Sequence, residues 1–200
     1  GIVFQSYEQL MIYQNNTINV IPAPGTFHFS YLVRNELYIN DQQEGLYRLA
    51  HDRLIKIPGT TPLRGKLIRS MLPRDENILI ATANDGVFEF DGLKLKEWDN
   101  LASEIFRQSQ IYSGLKIDED IYAFGTIQDG LIICDGRGNV IQHINIDKGL
   151  QNNTILSIDT DQYGNLWLGE DNGLDYVEIN SPLTYFTHFN SLSAGYTAVL

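Results

Sequence analysis

The sequence has little that could cross-link the chain or carry it through a membrane. It holds one cysteine, Cys134, so no disulfide can form within the chain. Cys134 lies in the apolar run Leu131–Asp135, and this position predicts a buried thiol on a strand. No apolar stretch approaches the roughly 20 residues that span a bilayer, and no signal peptide is visible. Because the chain starts inside the strand-like run Ile2–Phe4, we expect a piece of a longer protein.

Basic residues are also few. The chain has 14 Lys and Arg against 25 Asp and Glu, which gives a net charge of −11. The basic residues are scattered, whereas a nucleic-acid surface needs clustered positive charge to displace counterions from phosphates. We therefore predict that this chain does not bind nucleic acid.

Helical patterns are nearly absent. The longest candidate, Leu101–Gln110, lies between two strand-like runs and has no sustained apolar stripe. Glycine is frequent, with 17 residues, and the chain holds 11 tyrosines and 9 phenylalanines. Glycine supplies the backbone of tight turns and aromatic side chains fit a pleated sheet. The composition favours an all-β protein.

A repeat is the main signal in the sequence. Four copies share a short apolar strand, a polar turn that ends in glycine, and an alternating strand. One more strand is predicted before and one after this unit in each copy, for example Phe27–Val33 before the first unit and Leu183–His188 after the last. The shared glycines are separated by 41, 44 and 43 residues, and they are Gly45, Gly86, Gly130 and Gly173. These spacings are typical of four-stranded propeller blades. Asp or Asn before three of these glycines tolerates the backbone of a hairpin turn, so we interpret these acids as turn residues.

A fifth, weaker copy opens the chain and shows only three strands. A spare strand is predicted at Tyr196–Leu200, and it would complete that copy. The sequence therefore predicts a β-propeller of about five four-stranded blades, either closed through its termini or forming an arc of a larger propeller. Approximate blade limits are 1–22 with 194–200, 23–60, 61–100, 101–150 and 151–193. We interpret the apolar run Ile78–Ala81 and both tryptophans, Trp98 and Trp167, as packing between blades.

No motif for catalysis, a cofactor or a metal stands out. Phosphate-binding glycine loops and the nucleophile elbow of hydrolases are missing from the sequence. The four histidines are single and widely spaced. The segment Asp159–Glu170 has the length of a calcium loop, but Tyr163 stands at a ligand position and strands flank it. We predict no catalytic residue, no cofactor and no metal site.

The stretch Gly149–Asn180 carries a more specific pattern. It contains Asp161, the run Gly164–Gly169 (GNLWLG), Gly173 and Leu174. This pattern resembles the repeat of two-component regulator propellers in Bacteroidetes sensor proteins, and the other copies match it partially. The resemblance implies a periplasmic sensor region of a signal-transduction or transcription regulator. It also implies further parts that this chain lacks, namely a three-tyrosine domain, a membrane helix and a histidine kinase or LuxR-type output.

The function predicted from this resemblance is non-enzymatic ligand recognition, with an oligosaccharide as the candidate ligand. One alternative is a scaffold for protein–protein contact or homodimerisation, which an open ring would favour. A second is a five-bladed propeller glycosidase, which would need a pair of facing carboxylates. Because binding residues concentrate on loops, we select aromatic residues near turns as ligand-binding candidates. They are Tyr7, Tyr112, Tyr122 and Trp167.

Overall fold

The computed structural model describes residues 1–179, which form five antiparallel sheets. Consecutive strands are neighbours in every sheet, so each sheet is a meander of hairpins. We call the sheets blades 1 to 5 in chain order. The strands of the first two blades are β1 (Ile2–Gln5), β2 (Gln9–Gln14) and β3 (Thr17–Pro22), then β4 (Phe27–Val33), β5 (Glu36–Asp41), β6 (Gly45–Ala50) and β7 (Arg53–Lys56).

The remaining blades repeat the pattern. Blade 3 has β8 (Ile68–Arg74), β9 (Asn77–Thr82), β10 (Val87–Phe90) and β11 (Leu95–Glu97), and blade 4 has β12 (Ile111–Asp118), β13 (Ile121–Thr126), β14 (Leu131–Asp135) and β15 (Val140–Ile144). Blade 5 has β16 (Ile155–Thr160), β17 (Leu166–Glu170) and β18 (Gly173–Val177). Short helical turns lie at Thr61–Leu63 and Ile146–Lys148, and one α-helix, α1, spans Ser103–Ser109.

The turn that carries the repeated glycine explains why the copies fold alike. Gly86 has a φ of 78° and Gly130 a φ of 76°, a left-handed backbone that glycine adopts readily. In blade 3 the Thr82 hydroxyl donates to the carbonyl oxygen of Gly86 over 2.7 Å. In blade 4 the Thr126 hydroxyl donates to Gly130 in the same way over 2.9 Å. A hydroxyl at the end of the second strand therefore fixes the turn from inside.

Apolar side chains fill the space between successive blades. Four buried clusters lie between blades 1 and 2, 2 and 3, 3 and 4, and 4 and 5. Trp98 belongs to the cluster between blades 3 and 4, which confirms its predicted packing role. Cys134 lies in the same cluster, as predicted, and burial raises the pKa of its thiol to about 12. The described chain is therefore a β-propeller arrangement of stacked blades.

Helix α1 lies within Leu101–Gln110, the longest helical candidate in the sequence, although this segment has no sustained apolar stripe. It lies between blades 3 and 4 and buries Phe106 completely, with the ring centroid 4.8 Å from that of Phe124 and 6.3 Å from that of Trp98. The Asn100 side chain accepts a hydrogen bond from the Ala102 N–H at the start of the helix. One large buried side chain holds this short helix, so no repeated apolar stripe was needed. No helix within residues 1–179 is long and apolar enough to cross a membrane.

Blade 1 lacks an inner strand among the described residues. The Phe27 N–H, which leads into blade 2, donates to the Tyr7 carbonyl in the β1–β2 turn. The Gly65 N–H, which leads into blade 3, donates to Gln42 in the β5–β6 turn. By this correspondence β1 takes the second position of its blade, as β5 does in blade 2. The three strands predicted for the first copy are confirmed.

The strands predicted to complete the end blades lie outside the described residues. They are Leu183–His188, for blade 5, and Tyr196–Leu200, for blade 1. Closure of the ring through Tyr196–Leu200 therefore stays a prediction.

Candidate ligand-binding site

The first strands of blades 2 to 5 stand side by side around a cavity of about 360 Å³. Side-chain contacts hold these inner strands together. The Tyr31 hydroxyl of β4 donates to the Ile68 carbonyl of β8 over 2.7 Å, and burial raises the pKa of this phenol. The Ser113 hydroxyl of β12 donates to the Ile155 carbonyl of β16 over 3.4 Å. The cavity therefore lies where four blades meet, which is where a propeller has its axis.

Each of these inner strands has an irregular register near its start. The pairing shifts after Phe27 in β4, after Ile68 in β8, after Ile111 in β12 and after Ile155 in β16. Such bulges turn a side chain away from the regular alternation and are frequent beside binding sites. The side chains that follow line the cavity, and they are Phe29, Arg69, Tyr112 and Leu156.

Two of these side chains stack on each other. The guanidinium carbon of Arg69 lies 4.4 Å from the centroid of the Tyr112 ring. An arginine placed over an aromatic face is held by attraction to the π electrons while its outer N–H groups stay available. The pair therefore presents a flat, positively charged surface to the cavity.

A close approach of two inner strands brings this pair together. A β-carbon on Gly114 in β12 would lie 2.3 Å from the hydroxyl oxygen of Ser70 in β8, nearer than side chains can pack. Glycine at this position therefore lets β8 and β12 approach closely enough for Arg69 to reach Tyr112.

The charge of Arg69 affects the titration of a neighbouring imidazole. Burial and then the Arg69 charge lower the pKa of His28, so this imidazole is neutral at neutral pH. The cavity lining within residues 1–179 includes no carboxylate side chain. The cavity is therefore positively charged in a chain whose net charge is −11.

A second cavity, of about 290 Å³, lies between blades 2 and 3. Its arginine, Arg48, forms an ion pair with Glu36. Tyr38 also donates its hydroxyl to Glu36 over 2.9 Å. Lys56, its other cation, is paired with Glu44. Because its charged groups already have partners, this cavity is a weaker candidate than the axial one.

The structure does not bring the four predicted ligand-binding residues together. Tyr112 lines the axial cavity. Tyr7 is 67% exposed in the β1–β2 turn, and Trp167 is 48% exposed on β17, where its ring centroid lies 4.9 Å from that of Tyr176. Neither of them borders the axial cavity.

One interpretation needs correction and another stays open. Tyr122 is fully buried, and its hydroxyl donates to the Pro73 carbonyl over 3.2 Å, so its selection as a ligand contact was wrong. Trp167 does not belong to the buried cluster between blades 4 and 5, so its packing role stays a prediction that concerns the other face of blade 5. On β17 the alternation of side chains buries Leu166 and Leu168 against blade 4 and turns Trp167 to the other face.

Sequence reasoning missed Arg69 and Phe29, although the copies contain a usable signal. Aligned on their inner strands, three copies read Ile68-Arg69-Ser70, Ile111-Tyr112-Ser113 and Ile155-Leu156-Ser157. The first position is always isoleucine and the third always serine, while the middle residue changes from copy to copy. A position that varies between fixed neighbours is where a repeat protein can differ without loss of its fold.

Aromatic rings, hydroxyl groups and one guanidinium make this a surface for binding a polar ligand by stacking and hydrogen bonds. Within residues 1–179, no group of three or more His, Cys, Asp or Glu side chains is placed to hold a metal ion.

Comparison with known proteins identifies similar structures but no similar sequences. No family model matches the chain, and no curated protein sequence matches it. The extracellular domain of the hybrid two-component system BT3049 from B. thetaiotaomicron is similar at 17% identity and a TM-score of 0.65. That of BT4673 from the same organism is similar at 22% identity and a TM-score of 0.67. The WD40 β-propeller domain of Doa1 matches at 13% identity and a TM-score of 0.64.

These matches cover most of this chain but only part of the two bacterial structures. They include 89% and 91% of the chain against 27% and 26% of those extracellular domains. The chain therefore spans about a quarter of their length. At these identities the likeness establishes the β-propeller fold. It also agrees with the resemblance of the Gly149–Asn180 repeat, because these neighbours are extracellular domains of two-component systems.

Proposed function

We propose that this chain is part of the ligand-recognition region of a bacterial signal-transduction or transcription regulator, that it lies in the periplasm, and that it binds an oligosaccharide without turning it over. The observation that carries the proposal is the axial cavity, where four bulged inner strands turn side chains toward one space. The likeness to extracellular domains of two-component systems supports the compartment and the signalling role.

Aromatic lining supports a saccharide as the ligand. The apolar faces of sugar rings pack on flat aromatic surfaces, and Phe29 and Tyr112 supply such surfaces on different blades. Serine hydroxyls from β4, β12 and β16 can pair with sugar hydroxyls, and they belong to Ser30, Ser113 and Ser157. A cavity of about 360 Å³ is at the small end of ligand sites. We therefore expect a short oligosaccharide.

A thermal-shift screen of the purified chain against a panel of oligosaccharides tests this function. A ligand at about a hundred times its Kd should stabilise the chain by about 2.7 kcal/mol. The variant Tyr112→Leu should lose this shift, whereas Tyr13→Leu, which alters an exposed tyrosine of blade 1, should keep it.

Chromatography of each binding sugar after long incubation tests the absence of turnover. Cleavage of the sugar would contradict the non-enzymatic assignment and favour the glycosidase. A shift that survives Tyr112→Leu would mean that the sugar binds elsewhere.

A scaffold that dimerises is the second candidate function. Blade 1 exposes a row of apolar side chains on one face, namely Ile2, Phe4, Tyr13, Ile18 and Val20. Exposed apolar patches of this kind often mark protein interfaces. Sedimentation of the chain over a range of concentrations tests this. A dimer that becomes monomeric in the double variant Phe4→Gln/Ile18→Gln would favour the scaffold, and a monomer at all concentrations would exclude self-association.

A further inference from the structure

Arg69 is a partly buried arginine without a partner in the described chain. Its Nε atom is buried and has no hydrogen-bond acceptor, and its guanidinium forms no ion pair within residues 1–179. Buried charges are normally paired, because removing them from water is unfavourable. The side chains of two other arginines, Arg53 and Arg137, also form no hydrogen bond or ion pair within residues 1–179, but both are exposed to water.

The surroundings of Arg69 keep its charge uncompensated. Its guanidinium stacks on Tyr112, which orients the planar group and leaves its edge to the cavity. The other side chains that line the cavity are aromatic, aliphatic or hydroxyl groups. By contrast, Arg48 and Arg74 are paired with Glu36 and Glu89 in their own blades. Among residues 1–179 the axial cavity thus has an anion-binding group and no carboxylate that pairs with it.

From this arrangement we infer that the ligand of the axial cavity is an acidic saccharide whose anionic group binds the guanidinium of Arg69. The inference rests on the proposed function and adds the chemical class of its ligand. A planar guanidinium binds the two oxygens of a carboxylate or sulfate side by side, and such charge-assisted bonds are about twice as strong as neutral ones. The sugar ring next to this group would pack on Tyr112 or Phe29. The anionic group can come from a uronate or from a sulfated sugar.

Paired probes that differ only in charge test the inference. Digalacturonic acid is compared with its neutral methyl ester, and lactose sulfate with lactose, by titration calorimetry at constant ionic strength. We expect at least one acid to bind about tenfold more tightly than its neutral counterpart, or better. The uronate pair and the sulfate pair identify which anionic group the cavity takes.

Variants of Arg69 show whether this difference in affinity comes from the cavity. Arg69→Met, which keeps the length but removes the charge, should abolish the preference for the acid, and Arg69→Lys should restore it in part. The control Arg53→Met, on the outer strand of blade 2, should leave it unchanged. Without ligand, Arg69→Met should keep or raise the melting temperature, because it removes an unpaired charge that the fold does not use.

Three results would overturn the inference. Equal affinity for an acid and its neutral counterpart would do so while leaving the sensor function intact, and so would a preference that survives Arg69→Met. A fall of several degrees in the melting temperature of Arg69→Met would assign Arg69 a structural role. Failure of every saccharide to bind, neutral or acidic, would instead contradict the proposed function itself.

Discussion

The second strand of a blade is buried to a different extent in the middle blades and in the end blades of the described chain. In blades 3 and 4 the second strand is buried on both faces over nearly its whole length. In blade 1 the corresponding strand β1 alternates between exposed and partly buried residues, and Ile2 and Phe4 are more than half exposed. The sequences of these strands are similarly apolar. A blade is therefore stable through neighbours on both faces, and its composition alone does not decide whether its side chains are buried.

The same contrast appears at the end of the second strand. Thr126 in blade 4 is fully buried, and its hydroxyl is bonded within its own turn. The last residue of the second strand in blade 5 is Glu170, a nearly buried carboxyl beside Asp175. The backbone and side-chain N–H groups of Gln151 donate to Asp175, at 2.8 and 2.9 Å. Blade 5 thus has a nearly buried carboxyl beside a partly exposed one, where the middle blades have a neutral hydroxyl that is hydrogen-bonded.

The largest effect on stability should come from a substitution between the middle blades. Phe106→Ala removes a fully buried ring between blades 3 and 4 and should lower the free energy of unfolding by about 3–5 kcal/mol. Phe4→Ala, which removes a ring that is 54% exposed in blade 1, should lower it by less than about 1 kcal/mol. Urea denaturation measures both values. Equal losses would show that the exposed face of blade 1 is covered in solution.

Glu170 should make the stability of blade 5 depend on pH. Burial, followed by the proximity of Asp175, raises the pKa of Glu170 to about 7 from its ordinary value of 4.5. The protonated form is therefore favoured in the fold. This contribution is fully present below the unfolded pKa and is lost as the pH rises through 7.

The variant Glu170→Gln tests this dependence. At about pH 8 it should be more stable than the wild type by on the order of 1–3 kcal/mol, and below about pH 5 the two should be nearly equal. Melting temperatures across this range provide the measurement. Glu119→Gln, at an exposed turn, should show no such trend. A constant difference between wild type and Glu170→Gln at every pH would contradict the assignment.

A smaller loss is expected for a hydrogen bond between two middle blades. Tyr122→Phe removes the bond from blade 4 to the Pro73 carbonyl of blade 3 and should lower the free energy of unfolding by about 1 kcal/mol. Tyr13→Phe removes an exposed bond to the side chain of Asn16 in blade 1 and should change stability little. Similar effects of the two substitutions would mean that the bond between blades 3 and 4 adds nothing beyond a surface contact.

Much of the fold could be predicted from the sequence because its signals are local. The turn chemistry around Gly86 and Gly130 sets the hairpins, and alternating apolar residues set the strands between them. The first strand of the second copy, predicted at Phe27–Val33, coincides with β4. Helix α1 lies within the helical candidate Leu101–Gln110, which lacks a sustained apolar stripe because Phe106 is its only large buried side chain.

The candidate site was harder to predict because it depends on register. The bulge after Ile68 decides that Arg69 faces the cavity, and no residue preference specifies a shift of one position. Tyr112 was selected as an aromatic residue near a turn, and it lines the cavity for a different reason, the bulge in β12. The same criterion selected Tyr122, which is buried because β13 packs against a neighbouring blade on each face. Only a comparison of the copies position by position would have separated these two tyrosines.

The smallest effect on stability, and the most direct test of the contrast, concerns the two tryptophans. Trp98 is 7% exposed between blades 3 and 4, and Trp167 is 48% exposed on blade 5. We expect Trp167→Phe to change the free energy of unfolding by less than about 0.5 kcal/mol. Each single-tryptophan variant isolates one indole, so acrylamide quenching can compare them. Trp167 should be quenched several times more strongly than Trp98.

Equal protection of the two indoles would show that another surface covers blade 5. Repeating the quenching measurement after dilution then shows which surface protects the Trp167 indole. Protection that disappears on dilution comes from a second copy of the chain, because association depends on concentration. Protection that persists comes from the same chain, and it would favour a closed ring over an open arc. The exposure of this one indole therefore distinguishes a closed propeller from an arc of a larger one, the two arrangements that the repeat predicts.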